Sequence, residues 1–206
     1  MKVLMLNGSP HAHGVIDTAL CEMKSVLAFE RIDAEIFWVG TEPVRGCIAC
    51  HGCNGAGKCV FDDRVNEFIE KAKTADGFVF GSPVHYAAPS GAICSFLDRA
   101  FYAGGRNFKY KPGCSVVSCR RGGASSTFDV LNKYFTISNM PIVSSQYWNM
   151  VYGSNANEAR RDEEGMQTVR TLARNMAWLL KSIEAGKKAG LDMPKLEEPK
   201  RTNFIR

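Results

Sequence analysis

Cys47, Cys50, Cys53 and Cys59 stand within thirteen residues, in a stretch that also carries Gly46, Gly52, Gly55 and Gly57. Thiols at that density suit metal or redox chemistry, because packing rarely calls for so many side by side. The spacing Cys-x2-Cys-x2-Cys-x5-Cys is close to the ferredoxin run that holds a four-iron cluster, with a longer last gap and no proline after Cys59. A structural zinc site draws its cysteine pairs from two separated knuckles, so among metals a cubane suits one short loop better. The glycines permit the positive φ values that wrapping a cluster requires. Zinc, a redox dithiol and thiols without a metal stay open as other readings. Cys21, Cys94, Cys114 and Cys119 fall on expected helices or strands and read as packing residues.

Three more segments carry chemistry. The run Asn7-Gly8-Ser9-Pro10-His11-Ala12-His13-Gly14-Val15-Ile16-Asp17 can hold a phosphate monoester on backbone N–H groups at a helix N-terminus. The helix dipole and the Ser9 hydroxyl would reinforce that grip; the plain alternative is a turn in which Asp17 caps the helix. The run has neither the Gly-x-Gly-x-x-Gly fingerprint nor a Gly-Lys-Ser/Thr ending, which argues against a Rossmann NAD site or an NTPase. Gly81-Ser82-Pro83-Val84-His85-Tyr86 is a proline-fixed turn with an aromatic ring, suited to a flat heterocycle or simply to ending a buried strand. His85 has no second ligand at metal spacing. In Ser118-Cys119-Arg120-Arg121-Gly122-Gly123, glycines let a ligand approach the backbone. An arginine there can stabilise an anionic ring system or merely be a solvated charge. Tyr147-Trp148-Asn149-Met150 can wall the same site or form a subunit contact.

The elements that must position these segments alternate along the chain. Lys2–Asn7 is a short apolar run suited to a strand buried on both faces. A helix is expected from Thr18 to Phe29, a second strand over Ala34–Val39 and, after the cysteine loop, a helix entered at Asp62-Asp63. Gly77–Gly81 reads as the third strand, stopped by Ser82-Pro83, and a helix follows at about 90–101. Cys114–Cys119 is the expected fourth strand. Phe128, Leu131, Tyr134 and Phe135 mark a helix, and Pro141-Ile142-Val143 opens a shorter fifth strand. Met166, Val169, Leu172, Met176, Leu179 and Ile183 form the clearest amphipathic stripe. This alternation predicts an α/β, flavodoxin-like, doubly wound five-stranded parallel sheet of order 2-1-3-4-5 with helices on both faces. Ligands of such sheets bind outside the carboxyl ends of the strands, where the loops after strands one, three and four should converge. Residues 1–185 form the expected domain, with the cysteine loop 46–60 inserted after strand two, and 186–206 an irregular arm.

Composition narrows the function classes. At 206 residues and 45% hydrophobic content, one large α/β domain suffices. The net charge of +5 is mild and scattered, apart from Arg120-Arg121 and a basic tail at Lys187-Lys188, Lys195 and Lys200-Arg201. That is a poor footprint for nucleic acid. The sequence begins without a signal-type apolar run and has no stretch fit to span a membrane, so a reducing cytoplasm is the expected location for eight cysteines.

Taken together, Asn7-Gly-Ser-Pro, Gly81-Ser-Pro-Val-His-Tyr, Leu97-Asp98-Arg99, Arg120-Arg121-Gly122 and the four-cysteine run resemble the NADPH-dependent FMN reductase and iron–sulfur flavoprotein families. The resemblance covers roughly residues 2–180. It implies a flavodoxin-like domain binding FMN, reduced by NAD(P)H at the flavin N5 atom, and passing electrons to an acceptor. The alternative within the same resemblance is an electron carrier fed by ferredoxin. By that resemblance, Ser9, His11 and the backbone of Gly14, Val15, Ile16 and Asp17 hold the flavin phosphate. Ser82, Pro83, Val84, His85, Tyr86, Ser118, Arg120, Arg121 and Gly122 border the ribityl chain and ring, with Arg120 or Arg121 stabilising the reduced flavin. At Ile16 many relatives carry threonine, which removes one hydroxyl contact here. In the iron–sulfur branch Cys47, Cys50, Cys53 and Cys59 hold a [4Fe–4S] cluster, and members are commonly homodimers or homotetramers. No protein nucleophile or acid–base pair is expected, since the flavin carries the chemistry.

Overall fold

The apolar runs fold into strands because they can be buried on both faces at once. In the computed structural model, which describes residues 1–200 and Thr202, β1 (Lys2–Asn7) lies between β2 (Asp33–Trp38) and β3 (Gly77–His85), parallel to both. Its side chains alternate between two cores. Leu4 and Leu6 enter one with Phe78, Phe80 and the helices α2 (Arg64–Thr74), α3 (Gly91–Gly104) and α4 (Ala124–Ile137). Val3 and Met5 enter the other with Val79, α1 (Val15–Phe29) and α6 (Glu163–Lys188). A strand flanked by helices on both sides has no polar face to show, which is why it reads as a continuous apolar run.

The sheet continues through β5 (Gly113–Cys119) to β6 (Met150–Tyr152), in the order β2-β1-β3-β5-β6. The short β4 (Ala88–Pro89) lies off this path, antiparallel to the end of β3. Counting parallel strands alone, the order is the expected 2-1-3-4-5. A short helix α5 (Ala156–Arg161) precedes α6.

Several expectations need correction. β3 does not stop at Ser82-Pro83 but runs on to His85, then reverses through Tyr86 and Ala87 into β4. Pro83 has no N–H to donate, and the pairing with β5 ends at Pro83 beside Ser118. The fifth parallel strand is Met150–Tyr152, not Pro141–Val143. Ile142 makes only an isolated bridge to Gly113, and the chain rejoins the sheet beside Val117. Three-residue strands are too short to display a period, which is how this one escaped the pattern. α1 begins at Val15 rather than Thr18, and α6 continues past Gly186 to Lys188. Beyond it, residues 189–200 carry no helix or strand. The expected irregular arm at Arg201 and residues 203–206 lies outside the described residues. No described helix is long and apolar enough to cross a membrane.

Candidate functional site

The loops after β1, β3 and β5 are fastened to one another at the carboxyl end of the sheet. Gly8 N–H donates to the Gly81 carbonyl at 2.8 Å, and Ser90 Oγ donates to the Gly8 carbonyl at 2.7 Å. Ser90 N–H reaches Ser82 Oγ at 3.0 Å, so Ser82 is a buried strut between these loops. On the other side Ser126 Oγ donates to the Ala87 carbonyl at 2.6 Å. Gly123, at φ +90°, lies so close to the hairpin that an added Cβ would stand 2.7 Å from Ala87 Cα. Only glycine fits that backbone and that approach.

Helix starts divide into two kinds. α2, α3, α5 and α6 each begin on a side chain, Asp63, Ser90, Asn155 or Asp162, that accepts a first-turn N–H. α1 and α4 begin on Gly14 and Gly123, with no capping side chain. These two follow β1 and β5, so orphan amides and the positive dipole ends are both presented at the sheet's carboxyl edge. Asp17 is not a cap. It lies inside α1, with its carboxylate 3.3 Å from His13 Nδ1.

Ser9 is buried behind this N-terminus. Its N–H donates to Asn7 Oδ1, its Oγ accepts His11 N–H at 3.1 Å, and its carbonyl accepts Trp38 Nε1–H at 2.7 Å. The hydroxyl proton of Ser9 is therefore the part left to donate outward. Ile16 turns inward, its side chain under Gly81, so only its backbone faces the loop. His85, Tyr86, Arg120, Arg121 and Gly122 are exposed, and neither arginine forms an ion pair among the described residues. Tyr86 and Ala87 both sit at positive φ, 51° and 58°, a conformation costing roughly 1–2 kcal/mol per non-glycine residue. Tyr147 and Trp148 are not brought to this mouth. They pack edge to face at 5.2 Å over a separate groove with Phe128 and Ile142. An opening of about 570 Å³ between α1, α5 and α6 takes in His13 and Asp17 but no residue of the loops directly after β3 and β5.

The cysteine loop forms a second centre. Cys47, Cys50, Cys53 and Cys59 all line one pocket of about 70 Å³ with Phe61, Arg99 and Tyr102. That is far below the several hundred Å³ of an organic cofactor site, and suits a compact inorganic group. Positive φ falls at Ala49, His51, Gly55 and Gly57, whereas Gly52 serves close approach, its would-be Cβ 2.5 Å from Val60 Cγ1. Left-handed residues spaced between others turn backbone N–H groups into concavities that hold anions and iron–sulfur centres. Among the described residues, no three His, Cys, Asp or Glu side chains converge as ligands of one ion. Four thiols set around a cavity fit a cluster, in which each iron takes one thiolate, better than a single zinc.

The residue without a role in the sequence reading is Arg99. Its side chain is 1% exposed, and Nε donates to Cys59 Sγ at 3.3 Å while Nη1 and Nη2 grip both Asp63 oxygens at 2.7 and 2.9 Å. Burial works against its charge, but Asp63 and Cys59 outweigh that and hold its pKa above the ordinary guanidinium value. Its signal was available: it sits on the same helix face as Phe96, Ala100 and Ala103, where a charge is out of place. Burial pushes the thiols of Cys94, Cys114 and Cys119 up, as befits packing residues. Cys21 is instead exposed on α1.

Comparison with known proteins adds to this geometry. Residues 1–155 match the family model described as NADPH-dependent FMN reductase. An iron–sulfur flavoprotein of Methanocaldococcus jannaschii is 29% identical over 192 residues, covering 89% of this chain and 100% of the relative. One from Methanosarcina thermophila is 28% identical, covering 89% and 97%. Among solved structures, a flavodoxin from the domain Archaea superposes with a TM-score of 0.62 at 12% identity, covering 88% of this chain and 99% of that one, a likeness of fold.

Proposed function

The chain belongs to the NADPH-dependent FMN reductase family, and from that premise we propose that it is an FMN-dependent oxidoreductase taking electrons from NAD(P)H, with a [4Fe–4S] cluster on its cysteine loop. The observation that carries this reading is the pair of uncapped helix starts, Gly14 and Gly123, at the fastened loops after β1 and β5. In it the amides of Val15, Ile16 and Asp17 and the Ser9 hydroxyl hold the flavin phosphate. Pro83–Tyr86, propped by the buried Ser82, and Ser118–Gly122 border the ribityl chain and ring. Arg120 or Arg121, both exposed beside the α4 start, sets a positive charge near it. FMN, when bound, supplies the electron chemistry itself. The protein's own part is to hold the phosphate, orient the ring and exclude water from one of its faces.

The four cysteines supply the donor set of a cubane, which when bound transfers single electrons. A second reading makes the protein a carrier fed by ferredoxin. It is favoured by Cys47 and Cys50, which are exposed and leave that side of the pocket within reach of a protein partner. The net charge of +5 would suit an acidic one.

Purification without oxygen, followed by assay of FMN, iron and acid-labile sulfide, tests the reading. The expected content is about one FMN and about four irons per chain. Bleaching of the flavin by NADPH alone supports the oxidoreductase; bleaching only with reduced ferredoxin supports the carrier. Protein unable to take up FMN overturns both.

A further inference from the structure

We propose that Arg99 is the residue that positions Cys59 as a ligand and raises the reduction potential of the cluster on the cysteine loop. This rests on the cluster reading above.

A guanidinium has five N–H groups, and here every one is directed. Nη1 reaches Asp63 Oδ2 at 2.7 Å and the Arg45 carbonyl at 3.3 Å, and Nη2 reaches Asp63 Oδ1 at 2.9 Å and the Phe61 carbonyl at 3.2 Å. Those four contacts satisfy the needs of a buried arginine. The fifth donor, Nε–H, points at the sulfur of Cys59, 3.3 Å away and 40 residues distant in sequence. Cys59 is also gripped by its backbone. Asn66 Oδ1 accepts its N–H at 2.8 Å, and Asn66 Nδ2 donates to its carbonyl at 3.0 Å. Cys47, Cys50 and Cys53 ride on the glycine-rich loop, whereas Cys59 is fixed to α2 and α3 at both backbone and sulfur.

Four thiolates outweigh the charge of a cubane core, so the assembly is anionic and becomes more so with each electron added. Hydrogen bonds to the sulfurs and nearby positive charge favour that reduced state, which raises the potential. Asp63 does not cancel the effect. It binds end-on through Nη1 and Nη2, so the Nε–H stays free to donate to the sulfur, and that hydrogen bond rather than net charge carries the shift.

The test compares wild type with Arg99→Lys and Arg99→Gln, each checked for FMN content and folding by circular dichroism. One electron from dithionite reduces the cluster, and its midpoint potential is read by electron paramagnetic resonance. The expected result is a lower potential in Arg99→Lys, lower still in Arg99→Gln, with iron lost to a chelator about tenfold faster in both. An unchanged potential overturns the proposal, whatever the loss rate. Should neither variant fold, wild-type protein grown on guanidino-15N arginine serves in their place. A 15N coupling in the reduced cluster that survives Arg45→Lys and Arg106→Lys supports the contact, and its absence overturns it. Wild type that binds FMN but no iron overturns the cluster reading and this proposal with it. Iron in wild type with a potential indifferent to Arg99 overturns this proposal alone.

Discussion

Ser90 Oγ donates to the Gly8 carbonyl at 2.7 Å and accepts the Ile93 N–H at 3.3 Å, joining the start of α3 to the loop after β1. One hydroxyl thus caps a helix and fixes the floor of the expected phosphate site. Ser90→Ala removes both bonds and leaves the buried Gly8 carbonyl short of a partner. The expected cost is about 1–2 kcal/mol of stability, with weaker FMN binding, read from urea denaturation and flavin fluorescence titration. Stability within experimental error of wild type would show that the strut is not needed.

Gly123→Ala tests the other fastening. The φ of +90° and the approach to Ala87 Cα both exclude a Cβ, and the neighbour is backbone, which gives way least. About 2 kcal/mol or more should be lost, and the Tyr86–Ala87 hairpin displaced. Thermal melting measures the first effect and FMN affinity the second.

Asp63 both accepts Val65 N–H as the cap of α2 and holds Arg99. Asp63→Ala leaves a guanidinium whose side chain is 1% exposed without its bidentate carboxylate. The loss should be on the order of 3 kcal/mol, well above an ordinary cap deletion. A loss of only a few tenths would mean that the Arg45 and Phe61 carbonyls and the Cys59 sulfur suffice for Arg99.

A pH dependence follows from Glu35, held by hydrogen bonds from Lys2 and Lys71 that lower its pKa from the ordinary 4.5. A carboxylate lowered on folding contributes stability that is fully present above its unfolded value and is lost as pH falls through the folded one. Wild type should therefore exceed Glu35→Gln in denaturation midpoint at neutral pH. The gap should close only on acidification below 4.5. A gap that persists unchanged into strong acid would remove Glu35 as its source.

Much of this architecture was legible in the residues. β1 and β3 read as strands because burial on both faces leaves no polar position, and α6 read as a helix because its apolar stripe spans many turns. The run-on of β3 was not legible, since Ser82-Pro83 carries a turn signal that tertiary pairing with β5 overrides. Nor was β6, whose three residues are held by the edge of β5 rather than by any preference of their own. The cysteine loop was evident from composition, but its left-handed residues at Ala49 and His51 were not, because non-glycine residues adopt that region only when the surroundings enforce it.

By itself, then, the sequence determined the alternation of strands and helices, the parallel sheet, and the loops in which phosphate, ring and metal chemistry could sit. Those features depend on residues near one another along the chain, through hydrophobic period, glycine and proline placement and cysteine spacing. Only the tertiary structure decided that α1 and α4 start uncapped where the loops meet, and that the buried Arg99 turns its Nε–H on Cys59. A buried charge must find a partner, but nothing local says which, since that choice is made by packing elements far apart in sequence.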